Sequence, residues 1–213
     1  MTLTPEILPA LIRAIVTVIE THKDEVTALD QAIGDGDHVI NLQRGLNALT
    51  KQHAELANLS WEVAFQTIGM TLLSTMGGAS GSLFGTLFLT MNKASKGKDL
   101  DLKTFAVVFT TAVDAVKKRG KAEAAEKTML DVLIPVEQRL HQELTDNASL
   151  EKMLNTLSET AITGMEATRD MIATKGRASF MAERSQGHID AGARTSQLMI
   201  CAIIDTLKPM QIS

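Results

Sequence analysis

Three carboxylates fall within eight residues in the stretch Asp30-Gln31-Ala32-Ile33-Gly34-Asp35-Gly36-Asp37-His38-Val39-Ile40-Asn41. Like charges at close range repel, so a loop that converges three Asp side chains is stable mainly when a cation sits among them. Oxygen-only ligation suits Mg²⁺, Ca²⁺ or Mn²⁺, and Mg²⁺ commonly takes one or two protein carboxylates and fills its other positions with waters and phosphate oxygens. A calcium loop of the EF-hand kind fits poorly, because the Asp spacing is five then two and no Glu follows at the required distance. The competing reading is an Asp-Gly turn capping a helix, and Asp37 in particular is favoured by the dipole of a helix that starts beside it. Local sequence leaves the two readings level.

A second stretch has the same double character. Gly77-Gly78-Ala79-Ser80-Gly81-Ser82-Leu83-Phe84-Gly85 holds four of the chain's fourteen glycines. Glycines at 77, 81 and 85 have the four-residue spacing that lets two helices approach closely. Alternatively, the bare N–H groups of residues 78–80 face an anion at a helix N-terminus. The run is not a P-loop, since no Gly-Lys-Ser/Thr follows and no strand precedes it. A third candidate is the polar segment 177–193, long enough for a functional loop. His22, His53 and His141 read as surface residues without partners, and His188 is left open. Cys201, the lone cysteine, reads as a small buried hydrophobe, with no disulfide framework available inside one chain.

These candidates must be positioned by helices. Ala, Leu, Met, Glu and Lys abound, Tyr is absent and aromatics make up 3% of the chain, the reverse of strand enrichment. After Thr4-Pro5, Leu8, Leu11, Ile12, Ile15 and Ile19 line one face of a helix that should end near residues 22–23, although Pro9 could bend its start. A short helix over 24–29 leads to the acidic loop, which opens onto a helix over 39–53. Ser60 caps the next, with Trp61 packing at its start, and it ends at 76–78. Further helices are expected over 83–93, over 102–119 closed by Gly120, around Pro135 with a kink, from a cap at 147–149 to residue 175, and over 193–207. Glu137, Arg139, His141 and Glu143 look like a solvated face. No credible strand appears, so the fold class is all-α, with roughly eight helices.

With 213 residues and no linker or charge block, a single domain over 1–213 is expected. A net charge of −4 and a pI near 5.7 argue against nucleic-acid and anionic-membrane partners. No cationic flank precedes the first apolar residues and no run of 18 uncharged apolar residues occurs, so neither a signal peptide nor a membrane span is expected and a cytoplasmic location is.

Taken together, the motifs resemble the nucleotide-binding subunit of dihydroxyacetone kinase. They are Gly34-Asp35-Gly36-Asp37-His38, Met76-Gly77-Gly78-Ala79-Ser80-Gly81, Gly120-Lys121-Ala122-Glu123 with Lys127-Thr128-Met129 and Asp131, Lys175-Gly176-Arg177-Ala178-Ser179, and Glu183-Arg184-Ser185 with Gly187-His188 and Asp190. They recur in order over nearly the whole chain, and its length resembles the free-standing subunit of the phosphoenolpyruvate-dependent enzyme. The resemblance implies a single-domain eight-helix antiparallel barrel with ADP or ATP at one end. It implies that Asp30, Asp35 and Asp37 are catalytic through two bound Mg²⁺, with His38 and Asn41 reaching the nucleotide. Gly78, Ala79 and Ser80 would hold phosphate, and Gly120, Thr128, Met129, Arg177, Asp190, Ala191 and Gly192 would surround the rest. The family usually has proline where Ala191 stands, which would loosen that loop. The implied partners are a dihydroxyacetone-binding subunit and a phosphocarrier protein of the phosphotransferase system, with a homodimer left open. A divergent kinase subunit using exchangeable ATP, on dihydroxyacetone or another short ketose or sugar, is the alternative.

Overall fold

The computed structural model describes residues 4–209, so residues 1–3, the front of the stretch read for a signal peptide, lie outside it. Among the described residues there is no strand, and the all-α expectation holds. A 3-10 turn (Pro5–Ile7) leads into α1 (Leu8–Thr21), followed by α2 (Lys23–Ile33), α3 (His38–Leu56), α4 (Trp61–Thr75) and α5 (Gly78–Ser95). Then come α6 (Leu102–Gly120), α7 (Leu130–Thr145), α8 (Leu150–Ala167), 3-10 segments at Thr168–Asp170 and Arg177–Ser185, and α9 (Ala191–Leu207). Side-chain caps start α4, α6, α8 and α9: Ser60, Asp101, Ser149 and Asp190 accept from the N–H of Val63, Thr104, Lys152 and Ala193. Each is worth about 1 kcal/mol. Trp61 stacks on Phe65 with ring centroids 5.3 Å apart. No helix among the described residues is long and apolar enough to cross a membrane.

Several boundaries differ from the sequence reading, each for a local reason. α2 runs four residues past its expected end, so Asp30 sits in a helical last turn. α5 starts at Gly78, which places the glycine run inside the helix. α6 includes Gly120, and the left-handed closing residue is Lys121 (φ 49°). α8 stops at Ala167, well short of residue 175. The Thr168 carbonyl, which a continuing helix would pair four residues on, accepts instead from the Met171 N–H three residues on and from the buried Lys127 ammonium. The segment read as a loop over 177–193 is largely ordered into a 3-10 segment and the start of α9. Glu143 is buried between Arg139 and Lys152, each 3.7 Å away, and so leaves the expected solvated face. His22 and His53 each bond a backbone carbonyl of the preceding helical turn, and His141 faces Glu137 at 3.9 Å, so none is partnerless. Cys201 is half-buried, with its sulfur 3.2 Å from the Gln197 amide and 3.3 Å from the Ser158 hydroxyl.

The chain divides into two compact units. The first comprises the chain up to Val16 with Ile40–Lys121. Its consecutive helices α4, α5 and α6 pack as neighbours, as short connections dictate. Glycine governs the α4–α5 approach. A Cβ on Gly69 would come within 2.9 Å of the Leu89 backbone, one on Gly81 within 2.1 Å of the Met76 carbonyl, and one on Gly85 within 3.0 Å of Leu73 Cβ. The second unit comprises Thr17–Val39 with the chain from Ala122 onward. There α7, α8 and α9 pack mutually, and α2 lies against α9 and the 177–185 segment. The Arg194 guanidinium on α9 grips Glu25 on α2 through two bonds of 2.8 and 3.0 Å. This ties the first turn of α2 to the start of α9.

Candidate functional site

The acidic turn is built by two glycines and a capping carboxylate. Gly34 ends α2, its N–H donating to the Asp30 carbonyl at 2.6 Å, and a Cβ there would sit 2.2 Å from Asp30 Oδ1. Only glycine allows the Asp30 side chain to fold back along the turn. Gly36 has φ +76°, the left-handed conformation that glycine adopts without strain. Asp30 Oδ2 then accepts from the His38 N–H at 3.0 Å, capping the start of α3 across eight residues. As a result Asp30, Asp35 and Asp37 each offer a carboxylate oxygen, all within 4.8 Å of one another. Asp30 is half-buried, while Asp35 and Asp37 are exposed.

This donor set fits a hard divalent cation. At about 4 Å, two unit charges interact by about 1 kcal/mol in water and about 4 kcal/mol at the effective dielectric near a protein surface, so three ionised carboxylates oppose their own convergence. An Mg²⁺-sized cation reverses the sign of that term, and oxygen-only ligands are what it takes. Arg177 supplies one cationic neighbour, its Nε 3.0 Å from Asp35 Oδ2, on a side chain 72% exposed.

His38 stands behind the turn. Its Nε2 lies 3.0 Å from the hydroxyl of Thr195, which itself donates to the Gly192 carbonyl at 3.1 Å. The hydroxyl proton being committed to Gly192, Nε2–H is the donor, which fixes the tautomer. Burial lowers the His38 pKa, opposed by the charges of Asp30 and Asp37. Asp190 caps α9 by accepting the Ala193 N–H at 2.7 Å, and burial raises its carboxyl to about 6. Ala191 occupies the first helical position, where a missing or unpaired N–H costs nothing, so α9 starts there without proline. Gly192 lies against Met129, and a Cβ on it would come 3.7 Å from the Met129 N–H. Thr128 donates its N–H to Asp131 Oδ2 at 2.7 Å, and its hydroxyl caps Leu130.

Within the second unit the structure thus brings together Asp30, Asp35, Asp37, His38 and Arg177, and sets Met129 beside Asp190 and Gly192. Within the first unit Asn41 is buried against the glycine run. Its Oδ1 lies where a Cβ on Gly77 would clash at 2.3 Å, and it accepts from Arg44 at 3.2 Å. Gly78 (φ +65°), Ala79 and Ser80 form the first turn of α5, and Gly120 ends α6 one residue after Arg119, which donates to the Ser82 hydroxyl. Thr195 and Thr168, both fully buried, were missed by sequence reasoning, because a threonine inside an apolar helix or turn carries no signal of its partner. A groove of about 550 Å³ between α7 and α8, lined by Asp131, Arg139, Thr160 and Gly164 among others, includes none of the sequence-predicted site residues.

Residues 32–205 match the DAK2 domain, which takes in Asp35 and Asp37 and begins two residues after Asp30. The chain is 44% identical over 192 residues to the ADP-binding subunit DhaL of PEP-dependent dihydroxyacetone kinase 1 from Listeria innocua, covering 88% of this chain and 89% of that one. It is 39% identical over 184 residues to the corresponding ADP-binding subunit from Escherichia coli, covering 86% and 88%. Its fold superposes on the crystal structure of the dihydroxyacetone kinase from C. freundii in complex with AMP-PNP and Mg²⁺ with a TM-score of 0.72, at 20% identity over 96% of this chain and 34% of that one.

Proposed function

We propose, from the premise that this chain belongs to the DAK2-domain family of dihydroxyacetone kinase subunits, that it is the nucleotide-binding subunit of such a kinase. In this reading it presents Mg²⁺-bound ATP, whose γ-phosphoryl passes to dihydroxyacetone held on a separate subunit. The observation that carries the reading is the convergence of Asp30, Asp35 and Asp37 within 4.8 Å on a turn where two of the three are exposed. Phosphoryl transfer needs charge neutralisation and in-line positioning more than a covalent catalyst, and metal ions held on carboxylates supply most of that. The three carboxylates would hold two Mg²⁺ against the phosphates. His38, held by Thr195 and Asp30, keeps the turn in register, and Arg177 adds positive charge from an exposed position beside Asp35. The N–H groups of Gly78, Ala79 and Ser80 at the start of α5 suit a phosphate. Asn41, Gly120, Thr128, Met129, Asp190, Ala191 and Gly192 would complete the nucleotide's surroundings.

The chain offers no nucleophile or substrate anchor at the acidic turn, which agrees with a partner subunit that carries dihydroxyacetone. The whole chain acts as one nucleotide-binding subunit with a cytoplasmic location, as a monomer or a homodimer. ADP stays bound as a cofactor and is recharged to ATP by a phosphocarrier protein. The Asp190 cap supports this, because α9 begins without the family's usual proline and its start remains tied down. Chromatography of nucleotide released from freshly purified protein tests the reading: ADP retained through gel filtration and lost with chelator is expected. Rapid exchange of bound ADP for labelled ATP would move the protein to the alternative of an ATP-dependent subunit.

A further inference from the structure

Lys127 belongs to a motif that the proposed function leaves unused, and it is the largest side chain in the protein that is almost wholly buried, at 1% exposure. Its backbone is left-handed (φ 60°), as is that of Ala125 (φ 64°), conformations that cost a non-glycine residue roughly 1 kcal/mol or more each. Burying an ammonium costs several kcal/mol more unless its donors are matched. Here the Nζ donates to two backbone carbonyls, those of Thr168 and His188, from segments distant in sequence. The charges facing it are Asp190, Asp131 and Asp170, which favour the ammonium, and Arg169, which opposes it. A hydrocarbon side chain would fill the space but leave the Thr168 carbonyl with the Met171 N–H alone and take the ammonium away from the His188 carbonyl.

Those carbonyls belong to a path that ends at the acidic turn. The Thr168 hydroxyl accepts the Asp190 N–H at 3.1 Å, and the Gly187 N–H donates to the Arg169 carbonyl at 2.8 Å, zipping the two segments together. Asp190 caps α9, whose first turn carries Thr195, and Thr195 holds the His38 ring. His38 in turn gives its N–H to Asp30. We propose that Lys127 is a positioning residue for the metal and nucleotide site: by holding the Thr168 and His188 carbonyls it sets the start of α9, and through Thr195 it sets His38 and Asp30. This rests on the nucleotide-binding reading for its functional meaning, and on hydrogen-bond geometry within one unit for its structural one.

The test is Lys127→Met, nearly isosteric and without donors. Two readouts are taken at a temperature where the circular dichroism equals that of wild type: the imidazole ¹⁵N shifts of His38 in ligand-free protein, and MgADP affinity by calorimetry. Removal of a supporting partner behind a ligand weakens binding by about 10- to 100-fold, so a loss in that range with altered His38 shifts is expected. Lys127→Arg, which keeps the donors, should recover most of the affinity. Leu140→Ala, a core truncation off this path, should lower the melting temperature and leave both readouts alone. Wild-type His38 shifts and affinity in Lys127→Met overturn the proposal, as does a loss matched by Leu140→Ala. If Lys127→Met does not fold, Thr168→Val removes the hydroxyl that accepts from the Asp190 N–H and donates to the Met165 carbonyl, and the same readouts decide. If wild type binds no MgADP, the nucleotide reading fails, while the His38 shifts still settle the role of Lys127.

Discussion

The acidic turn at 30–37 and the glycine run at 77–85 read alike in sequence, each with a folding explanation and a ligand explanation of equal weight, and the structure separates them. In the glycine run, folding accounts for most of the composition. Gly77, Gly81 and Gly85 are each pressed against Asn41, the Met76 carbonyl or Leu73, at distances no Cβ tolerates comfortably. In the acidic turn, folding accounts for Gly34, Gly36 and one carboxylate only. Asp30 caps α3, but Asp35 and Asp37 stand exposed and close together, with like charges that oppose the arrangement. A residue that the fold explains is weak support for a ligand. A residue that the fold would do better without is strong support.

The largest expected effect breaks the comparison at its sharpest point. Asp35→Asn or Asp37→Asn should weaken MgADP binding by about 100-fold or more, as loss of one of few carboxylates on Mg²⁺ implies. The ligand-free melting temperature should hold or rise slightly, since a like charge is gone. Calorimetry and a thermal melt decide it, and a fall in stability with binding intact would return the turn to a mere cap.

Gly81→Ala should do the opposite. A Cβ 2.1 Å from a backbone carbonyl forces α5 to shift. Overpacking of this kind costs about 1–3 kcal/mol, or roughly 2–12 °C in melting temperature for a chain of this size. Equal losses with and without MgADP would confirm a packing role. A loss confined to MgADP affinity, with the melt unchanged, would put Gly81 in the phosphate cradle instead.

Much of this was legible in sequence because helices announce themselves by periodicity and caps. Ser60, Asp101 and the cap at Ser149 mark real starts, and the exposed acidic pair is visible as clustered like charge near glycine. What stayed hidden depends on partners distant in the chain. The early end of α8 follows from Lys127 taking the Thr168 carbonyl, and the burial of Glu143 follows from Lys152 reaching back from α8. Lys121, Ala125 and Lys127 adopt left-handed backbone where composition suggests none, since only tertiary contacts hold them there. Gly120 was read as the stop of α6 because glycine favours that conformation, yet the adjacent lysine takes it.

A smaller effect is expected at Arg177. Its side chain is 72% exposed and its bond to Asp35 is a surface pair, worth about 1 kcal/mol or less to stability. Arg177→Ala should therefore leave the ligand-free melt within a degree or two. MgADP affinity should fall by about 10-fold, the size of one charge-assisted contact to phosphate. An unchanged affinity would show that Arg177 serves the turn's electrostatics alone.

The smallest effect applies the same comparison to a single residue. Asp190 has a folding task, the α9 cap, which asparagine performs about equally well. Its carboxyl, however, is pushed by burial from the ordinary 3.8 to about 6, with the Lys127 charge and the Ala193 N–H only partly offsetting it. The folded state therefore binds this proton more tightly than the unfolded chain does. Its stabilising contribution is complete below pH 3.8, is lost as pH rises toward 6, and becomes a constant penalty above that. Asp190→Asn keeps the cap and cannot ionise, so in metal- and nucleotide-free protein it should gain on wild type as pH rises from 4 to 6 and then level off. The gain should be about 1 kcal/mol, less than the shift alone implies, because relaxation and water penetration around an ionised carboxyl reduce its burial penalty. Urea unfolding at pH 4.5 and pH 7 measures it, and a difference independent of pH would show that the carboxyl is not held in its buried position. With the expected outcome, asparagine would fold this site at least as well as aspartate does, and the reason for a carboxylate at position 190 must then lie in the chemistry of what binds beside Met129 and Gly192.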